Sequence, residues 1–292
     1  MEMLMNKILL PIDFPNTPLG VVHQAAFLAR HFHSEIILLH VVTPFSFPAG
    51  VLESGDELTL RDVHAHIVQQ AQKDLDQALR SELEGITVKQ VLLKGDPSRE
   101  IVQTARDEKA SLIAMSRHSH GGFYRFLIGS VAAKVLHDSV CPIWTDTYGK
   151  EEQGREFAIR SLLCAVDMTP HSRKTLSLDA QMATEFDARL TLVHVTDGME
   201  NYGPGGSYVD PTWKAKIVGF AAEEISKLQQ DVGTKADVII TSGNPPEALN
   251  RAAVQTKADV LMIGHIPSGG HLGANGSGYS IIRDSQVPVL SV

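Results

Sequence analysis

Cysteine is scarce in this chain: Cys141 and Cys164 are the two in 292 residues. They fall one in each half, in strand-like surroundings and without CxxC or metal-ligand spacing, so neither a disulfide framework nor a zinc site is indicated. Both thiols are expected to be buried and reduced. Blocks of Lys and Arg are also missing, and 26 basic against 34 acidic residues leave a formal charge of −8. That balance lacks the electrostatic footprint of a nucleic-acid or anionic-membrane partner. Apolar runs are short. The longest have strand length, such as IILLHVV from Ile36, well below the roughly 18 residues of a membrane span. The apolar stretch from Ile8 to Ile12 is broken by Pro11 and ended by Asp13, unlike a secretory signal peptide, and a cytoplasmic protein is expected. Neither a Walker A loop nor GxGxxG follows the first apolar run, where PIDFPNTP stands from Pro11. SGG at Ser268 and GHI at Gly264 are equally misplaced for PP-loop or HIGH-type nucleotidyl chemistry.

What the chain does contain is a repetition of itself. KILLPID from Lys7 returns as RSLLCAVD from Arg160, and GDPSREIVQTARDEKASLIAMS from Gly95 returns as GNPPEALNRAAVQTKADVLMIG from Gly243. HDSVCPIWT from His137 is matched by RDSQVPVLS from Arg283. A period of roughly 150 residues exceeds any solenoid unit and is the length of a domain. Two homologous domains are therefore read, 1–152 and 153–292, joined through the polar TYGKEEQGREF from Thr147. With 43% hydrophobic and 21% charged residues, the composition is that of a globular chain able to bury a core in each half.

Short β-branched or apolar runs alternate with longer helical patterns, which predicts α/β domains with parallel sheets and crossover helices. In the first half, strands are expected near 7–13, 35–42, 86–94, 111–115 and 142–146, with helices over 17–32, 57–84, 97–108 and 126–138. The second half predicts strands near 160–166, 188–195, 236–242, 259–263 and 287–291, and helices over 170–187, 211–231, 245–256 and a short one after Tyr279. In the second helix Leu60, Val63, Ile67, Ala71, Leu75 and Ala78 recur three or four apart, predicting one face on the sheet. His64 and His66 flank that stripe as solvated positions. Pro- and Gly-rich segments from Thr43 and from Thr196 follow each second strand, where ligands of open α/β sheets bind, and read equally as lids or as surface insertions.

The segment with chemical promise is SRHSHGGFYRFLIGSVAAKVL from Ser116. Its small residues allow close approach of a ligand, and it runs into a helix near Gly129 and Ser130 whose N-terminus suits a phosphate. Arg125 and His120 add positive charge nearby. Together with Asp13 ending the first strand, Leu39 to Val42, Gly95 to Pro97 and Cys141 to Ile143, the pattern resembles the universal stress protein family over nearly all of both halves. The resemblance implies two tandem open five-stranded parallel sheets of the HUP or Rossmann-like kind, with helices on both faces and strand order 3-2-1-4-5. ATP-binding members carry Gly-x-x-Gly-x9-Gly-Ser/Thr, and here that register holds Ser116, Ser119, Gly129 and Ser130. By the same resemblance Asp13 lies near the nucleoside, Val41 offers backbone to the adenine edge, and Ser116, Arg117, His118 and Ser119 with Gly129 and Ser130 surround ribose and phosphates.

The second half keeps Asp167 and Val195 at the matching places but rewrites the loop as GHIPSGGHLGANGSGYSII from Gly264. Pro267 takes the place of the second glycine, removing a donor and fixing φ. Either Asn275 and Gly276 or, with a shortened helix, Gly276 and Ser277 stand opposite Gly129 and Ser130. A degenerate site is expected there. The histidine pairs His118/His120 and His265/His271 lack a partnering Cys or carboxylate cluster, so no protein-bound metal is expected and Mg²⁺ would enter with ATP. Asp13 and Asp167 read as general bases or as caps with Thr17 and Thr169, and neither has a second carboxylate at fixed spacing. The resemblance therefore implies a stress-response protein binding ATP or AMP as a regulatory ligand through its N-terminal domain. A slow Mg-dependent ATP hydrolase and a structural or regulatory partner that binds no nucleotide stand as alternatives. It also implies an unknown protein partner, an internal pseudo-dimer through Cys141–Trp144 and Val287–Leu290, and a possible homodimer.

Overall fold

The computed structural model describes residues 5–14, 17–44, 57–117, 128–146, 157–196, 211–264 and 277–292. They form two compact units, Met1–Phe123 with Gly129–Cys141, and Tyr124–Ile128 with Pro142–Val292. The first contains β1 (Lys7–Ile12), α1 (Leu19–Phe32), β2 (Glu35–Val42), α2 (Glu57–Gln77), β3 (Val88–Lys94), α3 (Pro97–Asp107), β4 (Leu112–Ser116) and α4 (Ser130–Asp138). Its strands lie in the order β3-β2-β1-β4, and the pairs β1–β2, β1–β4 and β2–β3 are parallel.

A parallel strand with helices on both faces needs an unbroken apolar run rather than an alternating one. Ile8, Leu9 and Leu10 in β1 and Ile36 to Leu39 in β2 meet that need and are all fully buried. The outer strand β3 instead exposes Lys89 and Gln90. At the start of α3, the Asp96 carboxylate accepts from the Arg99 amide at 3.1 Å and from the Ser98 hydroxyl, while Pro97 occupies the first turn where no N–H is needed. The preceding Gly95 cannot be replaced freely, because its φ of 155° lies where side-chain-bearing residues are strained.

The second helix departs from expectation. It stops at Gln77, not near 84, because Leu79 turns left-handed at φ 52° and the chain then reaches β3 through Gly85 at φ 78°. Its stripe is also only partly buried: Ala71 and Leu75 reach the core, whereas Val63 is 45% exposed.

The second unit contains β5 (Ile143–Asp146), β6 (Ser161–Ala165), α5 (Ser172–Glu185), β7 (Arg189–Thr196), α6 (Pro211–Val232), β8 (Asp237–Ser242), α7 (Pro245–Thr256), β9 (Val260–Ile263), α8 (Ser277–Asp284) and β10 (Val289–Ser291). Strands β8-β7-β6-β9-β10 realise the expected order 3-2-1-4-5. Beside β10 lies β5, antiparallel, with Ile143, Trp144 and Thr145 opposite Ser291, Leu290 and Val289. Trp144 is fully buried and makes an edge contact with Phe157 at 6.0 Å. The described part of α8, Ser277–Asp284, already includes Tyr279, after which the short helix was expected.

One core position of this unit is anomalous. Asp179 of α5 is 0% exposed, and neither carboxylate oxygen finds a hydrogen-bond partner of ordinary geometry among the described residues. The Cys164 thiol of β6 lies alongside. Burial pushes the carboxyl up to about 7, since a charge is costly to hold in an apolar interior. Here the folded state keeps a proton that the unfolded chain releases near pH 4, so this contribution to stability declines as pH rises and is lost through about 7. Urea unfolding should give a wild-type midpoint that falls between about pH 4 and 7 and levels off above it, with Asp179→Asn flattening that slope; an unchanged slope would remove Asp179 as its cause.

Both cysteines are chemically quiet. Burial raises Cys164 well above its ordinary pKa, and it pushes Cys141, whose thiol donates to the Ala110 carbonyl at 3.1 Å, up to about 12. Cys141 is only half-buried by area, short of the burial expected for it. A thiol-specific disulfide reagent should label neither residue in the native protein and both after denaturation, because reaction requires the thiolate.

Candidate functional site

In the first unit the carboxyl ends of β1, β2 and β4 and the amino ends of α1, α3 and α4 surround a cavity of about 330 Å³. Its apolar part comes from Val21, Leu39, Ile101 and Met115, and its polar part from Asp13, Thr17, Ser116, Arg117 and Ser130. Such a volume is in the range of small-molecule sites, and strand carboxyl ends are where open α/β sheets place them. Six residues singled out in the sequence, Asp13, Val41, Ser116, Arg117, Gly129 and Ser130, line this one cavity. His118, Ser119, His120 and Arg125 lie outside the described residues, as do most of the two Pro- and Gly-rich segments and the linker. Thr17, named in the sequence as a capping partner of Asp13, lines it too; Val21 and Ile101 also line it and were not singled out, since their apolar character carries no signal distinct from ordinary core.

Two local devices shape the rim. The Asp13 amide donates to Thr17 Oγ1 at 2.9 Å, and that hydroxyl donates back to the Asp13 carbonyl at 3.1 Å. Those bonds engage the Asp13 backbone and leave its exposed carboxylate without a partner among the described residues. Across the cavity, the Gly129 amide donates to the Arg117 carbonyl at 2.8 Å, joining the end of β4 to the start of α4. A Cβ at Gly129 would press on that carbonyl at 3.3 Å, so the position favours glycine for packing as well as for ligand approach. The first turn of α4 carries no acidic side chain, and its leading N–H groups have no partner within the helix.

The corresponding place in the second unit is far smaller, about 90 Å³, lined by Ala165, Asp167, Thr169, His171, Ser172, Thr175 and Gly264. Here the carboxylate is already engaged. Asp167 Oδ1 accepts from the Thr169 amide at 3.0 Å, Thr169 Oγ1 at 2.8 Å and Ser172 Oγ at 2.6 Å. Burial works against the charge, yet hydrogen bonds from Ser172 and Thr169 outweigh it and hold the carboxyl below its ordinary range. Asp167 and Gly264 are thus brought together, while Val195 and Ser277 are not in this lining. Gly276, Pro267, His265 and His271 lie outside the described residues. Among the described residues no group of three or more His, Cys, Asp or Glu gathers as a metal site, and no helix is long and apolar enough to cross a membrane.

Open α/β units with a cavity at the strand ends define the class, and sequence comparison gives the family. The profile of the Universal stress protein family matches residues 5–145 and again 158–292, and the chain belongs to that family. It is 30% identical over 152 residues to universal stress protein MJ0531 of Methanocaldococcus jannaschii, covering 52% of this chain and 87% of that protein. Universal stress protein MJ0577 of the same organism is 31% identical over 156 residues, covering 49% of this chain and 95% of its own. A universal stress protein from Archaeoglobus fulgidus has a similar fold, with a TM-score of 0.68 at 22% identity over 98% of this chain and 95% of that one.

The two aspartates should respond differently to truncation. Asp167→Ala removes the acceptor of three hydrogen bonds in the turn before α5 and is expected to cost about 1–3 kcal/mol, whereas Asp13→Ala, which loses no side-chain hydrogen bond among the described residues, should change stability by under about 0.5 kcal/mol. Equal losses in urea unfolding would contradict the assignment of Asp167 as the engaged member.

Proposed function

We propose that this universal stress protein acts in a stress response as a nucleotide-responsive regulatory protein, binding ATP or AMP in the first unit. The observation that carries the reading is the cavity of about 330 Å³ whose rim combines the Asp13 carboxylate, without a hydrogen-bond partner among the described residues, with the start of α4. The apolar wall from Val21, Leu39 and Met115 suits an adenine ring, the Asp13 carboxylate suits ribose hydroxyls, and the N-terminus of α4 at Gly129 and Ser130 suits phosphate oxygens. Mg²⁺ would enter with the phosphates. In the second unit, a cavity of about 90 Å³ and an Asp167 already holding three donors favour a site that has lost the nucleotide. Asp13 is the one carboxylate among the described lining residues, and the binding role is the reading this lining supports. The domain limits 1–152 and 153–292 and the internal pseudo-dimer belong to the same proposal, the latter supported by the antiparallel β5–β10 pair.

Calorimetric titration with ATP and Mg²⁺ should give one site per chain. Ser130→Asp is the sharpest variant, because Ser130 is exposed and opens α4. A carboxylate at that helix start should leave the fold intact or stabilise it by about 0.3–1 kcal/mol while abolishing ATP binding through repulsion of the phosphates. Unchanged affinity in Ser130→Asp would remove the phosphates from this helix end, and two sites per chain would reinstate the second unit.

A further inference from the structure

Asp13 follows the last residue of β1, so the sheet itself no longer dictates where its carboxylate lies. What holds the backbone there is a side chain of the neighbouring strand. In the parallel register Ile12 stands opposite His40, and the His40 ring nitrogen Nδ1 lies 3.0 Å from the Ile12 carbonyl. A carbonyl only accepts, so Nδ1 carries the proton. The same imidazole packs on Phe14 with ring centroids 5.0 Å apart. One side chain therefore grips the residue before Asp13 and the residue after it.

The second unit repeats the first half of this grip. His194 Nδ1 lies 2.7 Å from the carbonyl of Val166, which precedes Asp167. There, however, Thr169 and Ser172 bind the aspartate directly. In the first unit the Asp13 carboxylate has no such support among the described residues, and the turn rests on His40 and Thr17.

We infer that His40 is a positioning residue for the first unit's site, fixing the Ile12–Phe14 backbone so that the Asp13 carboxylate is presented to the ligand, while His194 has kept only the structural half of that role. The inference rests on the nucleotide reading above, and the pair of histidines supplies its own control.

Calorimetry with ATP and Mg²⁺ on the full chain tests it, with urea unfolding run in parallel. His40→Ala should weaken ATP binding about ten-fold, the equivalent of one well-made hydrogen bond. His194→Ala should leave affinity unchanged, although both variants unfold at lower urea. His40→Asn places an amide donor where Nδ1 stood and should stay within about three-fold of wild type, whereas His40→Gln, whose donor falls nearer the Nε2 position, should resemble His40→Ala. If His40→Ala does not fold, the Asn and Gln variants carry the comparison. Equal affinity in His40→Ala and wild type, equal weakening by His194→Ala, or no difference between Asn and Gln would each overturn the positioning role. Absence of ATP binding by wild type would instead overturn the nucleotide reading, and this inference with it.

Discussion

The central strand of each unit carries the constraint on which the rest depends. β1 is hydrogen-bonded to β2 on one edge and β4 on the other, and β6 likewise lies between β7 and β9. All these pairs are parallel, so within each unit these strands end on one side. Each must also be apolar on both faces, which leaves no room for polar chemistry along its length. Polar function is forced to the carboxyl ends, where Asp13 follows β1 directly and Asp167 lies two residues beyond the end of β6. The sheet thus decides where a site can be before any side chain decides what it binds.

From that common frame the two units have diverged by small substitutions around one aspartate. Thr17 in the first unit bonds only the backbone of Asp13, while Thr169 and Ser172 in the second bond the carboxylate itself. Those three donors fix one oxygen of the second aspartate, Oδ1, in the turn that leads into α5. A hydrogen-bonding group has a limited number of lone pairs, and each one satisfied internally is no longer offered outward.

Much of this was legible in the sequence because it follows from long apolar runs and from repetition. The β2 limits Glu35–Val42 and the α7 limits Pro245–Thr256 agree with the sequence reading, since β-branched runs and a Pro after Asn leave little ambiguity. Asp13, Ser116, Gly129 and Ser130 converge because a parallel sheet brings successive strand ends together. The end of α2 was not legible: Leu79 adopts φ 52°, which its residue type does not announce. Nor was the burial of Asp179, which stands where the first repeat has Ala25 and whose neighbour Cys164 stands where the first repeat has Leu10. A lone acid in an amphipathic helix pattern reads as solvated, and only tertiary packing makes it otherwise.

Sequence repeat and compact unit do not coincide at β5. Ile143 to Asp146 close the first repeat by sequence, yet they pack in the second unit, with Trp144 fully buried and Thr145 donating to the Val289 carbonyl at 3.3 Å. A chain severed anywhere from 147 to 156 would therefore not yield two independent halves. The N-terminal fragment would keep a strand laced into the C-terminal one, and the nicked protein would migrate as a single species until denaturant released it, much as a complemented pair of fragments does.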